Sequence, residues 1–434
     1  MSSDWPLKDL ESVASDVTVG FVGSMATEYI EQGIPFLRSL NIEQFGIKKN
    51  DLKFISQEFH QKIKKSSLKP QDVVIVRTGK PGTCAVIPDW LIDANCSDLV
   101  IVRCGTQIRP HFLCYWVNSV ASHHISSHLV GAVQQHFNVG AAKKMKVAVP
   151  RLEEQDDIIA ILRSMDDRIN LLRETNTTLE AIAQALFKSW FVDFDPVRAK
   201  LEGREPEGMD SATAALFPDS FEESELGLVP RGWQVGAVYN LAQYINGAAY
   251  RAFEPNLERR GLPIIKIAEL KAGVTSQTGF SDITMPSKYK IKTRDILFSW
   301  SGNPDTSIDT FVWSHSEAWL NQHIFRVVPT TVQKRSFVIL TLKYFKPVFA
   351  EIARNKQTTG LGHVTVSDLK RLQVIHPCDL LLERWNEIID PLLERAFIVD
   401  QQVQTLTALR DTLLPRLISG QLRLPEVEEL IINQ

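Results

Sequence analysis

Between Glu153 and Phe191 the apolar residues fall every three or four positions: Ile158, Leu162, Met165, Ile169, Leu172, Leu179, Ala183, Leu186 and Trp190, with Asn176 in the same row. Steps of four and three average 3.5 residues, which predicts one long helix with a narrow seam. Pro150 marks its entry and Pro196 its end. A helix of ~39 residues extends about 58 Å at 1.5 Å per residue. The row recurs 227 residues later as Leu392, Ala396, Val399, Val403, Leu406, Arg410, Leu413 and Leu417. Pro391 predicts that the regular part of this second helix starts there, after a short helical piece over 380–389, and Gly420 predicts its stop. Neither stripe is stable in water alone, so each helix is the natural antiparallel partner of the other. Asn176 either fixes their register or is a polar residue tolerated near solvent.

The segments preceding the two helices also correspond. Trp5 and Gly33-Ile34-Pro35 return as Trp233 and Gly261-Leu262-Pro263, an offset of 228. Asp72 and Gly79 return as Asp295 and Gly302 at 223, and Lys143, Val147 and Pro150 as Lys370, Val374 and Pro377 at 227. The drifting offset places insertions and deletions inside the segments, not in the helices. Short β-like runs occupy 73–76, 84–87 and 99–102 in the first copy, and 291–298 and 324–328 in the second, with helical stretches between. The chain is therefore a duplicated unit of lobe plus helix. The predicted class is α+β: two pseudo-repeated α/β lobes joined by two long helices that form an antiparallel coiled coil. The segments are a first lobe (1–150), a first helix (151–195), an acidic connector (196–232), a second lobe (233–377), and a second helix with tail (378–434).

Composition changes this picture in one respect. The 434 residues and 44% apolar content suit two or more folded domains. A charged-then-apolar leader and an ~18-residue apolar run are both absent, which predicts neither a secretory signal nor a membrane span. Five cysteines without a CxxC pair predict reduced thiols in the cytoplasm, with no disulfide framework and no zinc site. The net charge of −3 argues weakly against nucleic acid, but its distribution reverses that. The first lobe carries 16 basic and 13 acidic residues (+3) and the second 18 and 10 (+8), whereas 151–232 sums to −9 and 378–434 to −5. Basic lobes suit a polyanion and acidic helical segments suit protein contacts.

A catalytic constellation does not emerge. Gly79-Lys80-Pro81-Gly82 is a turn, not a phosphate loop. Asn303-Pro304-Asp305 lacks the second proline and the aromatic of an amino-methyltransferase element, and Glu269-Leu270-Lys271 lacks the upstream Asp of a nuclease. His123, His124 and His128 have no Cys or carboxylate at metal-ligand spacing. A chain of this size without such groups reads as a recognition subunit.

Three motifs point to a family. The first helix ends Leu186-Phe187-Lys188-Ser189-Trp190-Phe191-Val192-Asp193-Phe194-Asp195-Pro196. The connector ends Leu226-Gly227-Leu228-Val229-Pro230-Arg231-Gly232-Trp233, and the second helix ends Leu413-Leu414-Pro415-Arg416-Leu417-Ile418-Ser419-Gly420-Gln421-Leu422. With the duplicated layout, the whole chain resembles the DNA-specificity subunit of a type I restriction-modification system, a component of antiphage defence. The resemblance implies that each lobe is a target-recognition domain reading one half of a bipartite, asymmetric site on double-stranded DNA. It implies that the helices set the spacing and dock two methyltransferase (modification) subunits. Those subunits would bring S-adenosylmethionine and methylate adenine, and separate restriction (motor) subunits would use ATP and Mg²⁺. The chain itself would bind no cofactor or metal and catalyse nothing. The alternatives are a fused DNA nuclease or methyltransferase with its own activity, and a coiled-coil scaffold without a nucleic-acid role.

Base readers need side chains that reach groove edges, and positioners need cations and amides at phosphates. In the first lobe the candidates are Arg38, Arg77, Thr78, Lys80, Gln134, Gln135, His136, Lys143 and Lys144. Gln134 and Gln135 are attractive because a glutamine can bond adenine through two contacts. In the second lobe they are Lys266, Ser299, Trp300, Ser301, Asn303, Lys356, Gln357 and His363, the last matching His136 at offset 227. Residues found in both lobes, such as Asp72/Asp295, are expected to serve the fold or phosphates, and Lys143/Lys370 either phosphates or helix solvation.

Overall fold

A computed structural model describes residues 5–130, 136–256, 258–357 and 360–423. The fold is α+β, with two long helices and two sheet-built lobes. The chain forms two compact units, Met1–Ile169 with Thr405–Gln434, and Asn170–Gln404. Each lobe therefore shares its unit with pieces of both long helices.

In the first unit the main sheet has the order Cys84–Val86, Val73–Val76, Leu99–Cys104, Ala14–Val19. Its central strands are continuously apolar because both faces are covered. Val73, Ile75, Val100 and Val102 face the core under the helix Pro110–Ser119, with Ile158, Leu162 and Met165 of the first long helix. Val74, Val76, Leu99 and Ile101 face a second sheet, of five short strands, in which Ile34–Leu37 runs parallel to Ala94–Cys96. Leu7–Asp9 closes the lobe against Lys146–Ala148.

The second unit repeats this order. Ala242–Asn246, Ile324–Pro329, Ile296–Ser299 and Asp309–Val312 form its main sheet. Leu262–Ile265 runs parallel to Ala318–Leu320, and Gln234–Ala237 closes the lobe against Gln373–His376. The expected strand over 291–298 is in fact two. Lys290–Ile291 and Ile296–Ser299 flank a turn in which Arg294 has φ 77° and the Asp295 carboxylate accepts from the Lys292 N–H (2.9 Å). Asp72 does the same for the Lys69 N–H (3.0 Å), so this repeated aspartate serves the fold.

The long helices are Leu152–Phe191 and Asp379–Ile418, 40 residues each. The second corrects the sequence expectation: it begins at Asp379 and runs through Pro391 without a break. A proline there forfeits one backbone bond. Leu381, Leu382, Trp385 and Ile389 are fully buried and hold the two turns before it. The first helix ends at Phe191, as its apolar row predicts, ahead of Pro196. Phe194 turns left-handed (φ 58°), and Pro196 lies in the first turn of the next helix, Asp195–Leu201. The connector carries further structure, the helix Ser211–Ala215 and the hairpin of Phe221–Ser224 with Gly227–Pro230.

Within the first unit the helices run antiparallel, since Glu154 meets Arg423 (3.8 Å) and Asp166 meets Arg410 (2.7 Å). Within the second, the Trp385 ring lies 5.1 Å from Trp190 and 4.8 Å from Phe191. Ile158, Leu162, Met165, Ile169, Leu172, Ala183, Trp190, Val399, Leu413 and Leu417 of the seam are buried. Leu179, Leu186, Leu392, Val403 and Leu406 are half-buried. Phe187 takes the buried place expected of Leu186, because next to a lobe the apolar stripe widens to cover a second neighbour. Asn176 is half-buried, and its Oδ1 has no partner among the described residues.

Candidate nucleic-acid interface

The turn that follows the central strand is built alike in the two lobes. In the first, the Phe137 N–H donates to the Arg77 carbonyl (3.0 Å), joining the turn to the strand His136–Phe137. In the second, the Val364 N–H donates to the Trp300 carbonyl (2.8 Å), and Ser301 pairs antiparallel with His363. Gly79 (φ 85°) and Gly302 (φ 118°) make the bend, in a region where a Cβ is strained. A capped helix follows each histidine strand: Asn138 accepts from the Ala141 N–H (2.8 Å), and Thr365 from the Asp368 N–H (3.3 Å).

The side chains on this common frame differ. In the first lobe Arg77 is largely buried; it pairs with Asp98 and donates through Nε to the Phe137 carbonyl (2.9 Å). Thr78 is half-buried and Lys80 is exposed at the turn's tip. Gln134 and Gln135 lie outside the described residues, and of His136 only its place in the strand is described. In the second lobe Trp300 occupies the Arg77 position. Its indole N–H donates to Asn246 Oδ1 (3.2 Å), and its ring lies 5.7 Å from that of His323. Ser299 is fully buried, its hydroxyl without a partner among the described residues. Asn303 is exposed and its Oδ1 accepts from the N–H groups of Asp305 (3.0 Å) and Thr306 (3.1 Å). The turn thus gathers Trp300, Ser301 and His363, with Ser299 beneath.

Other candidates stand elsewhere or are engaged. Arg38 and Lys266 precede short helical turns of the same design, closed by Asn41 and Glu269, which accept from their N–H groups at 3.0 Å. The Arg38 guanidinium bonds Asp51 (2.8 Å) and holds that carboxyl below its usual range. Lys266 lies 5.0 Å over the Tyr250 ring. Lys356 pairs with the buried Asp368. Burial alone would raise the Asp368 carboxyl, but hydrogen bonds from Lys356 and Thr365 outweigh it and lower it. Gln357 is exposed and donates to the Gly360 carbonyl (3.2 Å). Lys143 closes the helix Val139–Lys143, followed by the exposed Lys144. Sequence reasoning missed Asn246 and His323, which orient Trp300. Asn246-Gly247 was the available signal, since a Cβ at Gly247 would lie 2.2 Å from the Leu320 carbonyl.

The motifs tested for chemistry have structural uses. Glu269 is buried and accepts from Thr278 (3.3 Å), and Lys271 donates to the Thr306 carbonyl. His124 and His128 stack at 4.2 Å. Among the described residues, no group of three or more His, Cys, Asp or Glu could hold a metal ion, and no helix is long and apolar enough to cross a membrane. The five cysteines are free thiols.

One frame built twice, with different side chains at the same turn, defines a two-lobed protein with two distinct surfaces. The model of the type I restriction modification DNA specificity domain matches residues 27–181 and 230–379, and the chain belongs to this family. It is 22% identical over 434 residues to the type I restriction enzyme MjaIX specificity subunit of Methanocaldococcus jannaschii, covering 98% of this chain and 95% of that one. It is 27% identical over 327 residues to the HindI specificity subunit of Haemophilus influenzae, covering 65% and 70%. The S subunit of a type I restriction-modification system from M. genitalium shares the fold, with a TM-score of 0.52 at 15% identity over 95% and 96% of the two chains.

Proposed function

We propose that this chain is the non-catalytic DNA-specificity subunit of a cytoplasmic type I restriction-modification complex. Each lobe reads one half of a bipartite, asymmetric sequence on double-stranded DNA, and the two long helices set the spacing. The carrying observation is the repeated turn with its changed occupants: Arg77, Thr78 and Lys80 in one lobe, Trp300, Ser301 and Asn303 in the other. A shared frame gives both lobes the same approach to a duplex, and different side chains give them different bases. Methyltransferase subunits dock on the acidic helical segments and bring S-adenosylmethionine. Restriction subunits bring ATP and Mg²⁺ chemistry.

The test separates recognition from catalysis. Purified chain incubated with DNA, Mg²⁺ and S-adenosylmethionine is expected to bind DNA in a salt-sensitive way, more tightly with modification subunits present, and to leave the DNA unmethylated and uncut. Turnover by the clean chain contradicts the proposal, and so does binding that ignores salt.

A further inference from the structure

The second lobe contains a cavity of about 390 Å³ lined by Lys288, Lys290, Lys292, Glu317 and Arg326, with the buried Ile291 among them. Lys290 lies on the edge strand Lys290–Ile291, Lys288 in the 3-10 turn before it and Lys292 just after it; Lys288 and Lys292 are exposed and Lys290 is half-buried, while Ile291 joins the core. Four cations meet one carboxylate, Glu317, which pairs with Lys290 (2.6 Å). Arg326 reaches in from the main sheet. Its Nη1 donates to the Lys290 carbonyl (2.8 Å), while its Nε is buried without a partner among the described residues.

The first lobe supplies an internal comparison. Arg103 corresponds to Arg326 and Ser67 to Lys290, both at offset 223, and Arg103 Nη2 donates to the Ser67 carbonyl (3.0 Å). The arginine-to-carbonyl link therefore belongs to the fold. In the first lobe Arg103 is neutralised: Asp16, its neighbour across the sheet, accepts from it (2.5 Å), and Asp72 lies at 3.7 Å. In the second lobe the residue facing Arg326 across the sheet is Ile245, and a lysine stands where the first lobe has Ser67. Glu317, where the first lobe has Ala94, restores the carboxylate count but pairs with Lys290, so the same frame holds one cation more and its arginine loses the carboxylate across the sheet. The three cations beyond the Glu317–Lys290 pair repel unless a further anion sits among them.

We infer that this cavity seats a phosphate of the DNA backbone and anchors the duplex on the second lobe without reading sequence. This rests on the DNA-binding role proposed above. The lysines follow one another along a turn and a strand edge, and a row of charge fits a linear polyanion better than a compact one.

The experiment uses the full chain, a fluorescent duplex of arbitrary sequence and a potassium chloride series. The variant combining Lys288→Gln, Lys290→Gln and Lys292→Gln is expected to lower affinity equally for all sequences. It should also flatten the plot of log K against log salt by about 0.9 for each phosphate that is no longer neutralised. Arg326→Gln should act in the same direction, and circular dichroism checks that both variants fold. An unchanged slope in the triple variant, with wild-type chain binding DNA, overturns this inference alone. Wild-type chain that binds no DNA overturns the function as well. Saturable binding of inorganic pyrophosphate to the DNA-free chain, with the DNA slope unaltered by the variant, assigns the cavity to a small anion instead and also overturns the inference.

Discussion

Single residues on the shared frame divide into those spent on the fold and those left facing outward. Lys356 illustrates the first kind. Its ammonium neutralises Asp368, which is only 5% exposed and caps the helix Val366–Arg371. Lys356→Gln is expected to destabilise the second unit by about 1–3 kcal/mol, because a buried carboxylate is left without its counter-ion. Urea denaturation measures this, and an unchanged midpoint contradicts the assignment. Arg77 read in the sequence as a cation at a turn, but Asp98, 21 residues away, engages it, and side-chain pairing at that distance has no signature in spacing. By contrast, the match of His136 to His363 was legible, because it follows from the offset alone. Histidine also sets a pH dependence. Burial, then Arg163, lowers the His111 pKa from 6.5 to about 4, and burial lowers His315 and His376 as well. Above pH 6.5 the imidazole is neutral whether folded or unfolded. Below it the unfolded chain takes up a proton that the folded chain refuses, so stability is expected to fall between pH 6.5 and about 4. His111→Gln should flatten that decline in denaturation midpoints measured across the range.

At the scale of elements, the helices owe their length to packing more than to propensity. The 3.5-residue rows made both helices legible. Pro391 misplaced the start of the second because a local breaker was weighed without the buried Trp385 that outweighs it. Trp385 meets Phe187, Trp190 and Phe191, so Trp385→Ala is expected to cost about 3–5 kcal/mol. Arg410 stands in the apolar row at the position of Ala183. Its guanidinium pairs with Asp166 (2.7 Å) and Asp411 (2.7 Å) and lies over the Phe45 ring, and Asp166 also accepts from Tyr115 (2.6 Å). Arg410→Ala strands Asp166, only 13% exposed, and is expected to cost about 3–5 kcal/mol. Pairing Arg410→Met with Asp166→Leu should recover most of that, and a double variant as unstable as the single one contradicts this account.

For the whole molecule, the proposed function makes the duplication visible in the sequence a division of labour as well. Its lobes keep strand order, parallel pair and turn, and change what the turn displays. The reach of the second helix into the first unit was not legible as a domain boundary, because Leu413, Leu414, Leu417 and Ile418 pack with residues some 250 positions earlier, such as Leu162. A chain truncated after Gln404 should therefore lose protease resistance within 1–169 while 170–404 stays resistant. The central claim is that each lobe reads its own half-site. Its most direct test replaces residues 233–377 by the matching lobe of another specificity subunit and maps methylated adenines in cells that carry the modification subunits. The account predicts that one half of the methylated site changes and the other half stays as it was. A site that changes in both halves, or in neither, contradicts it.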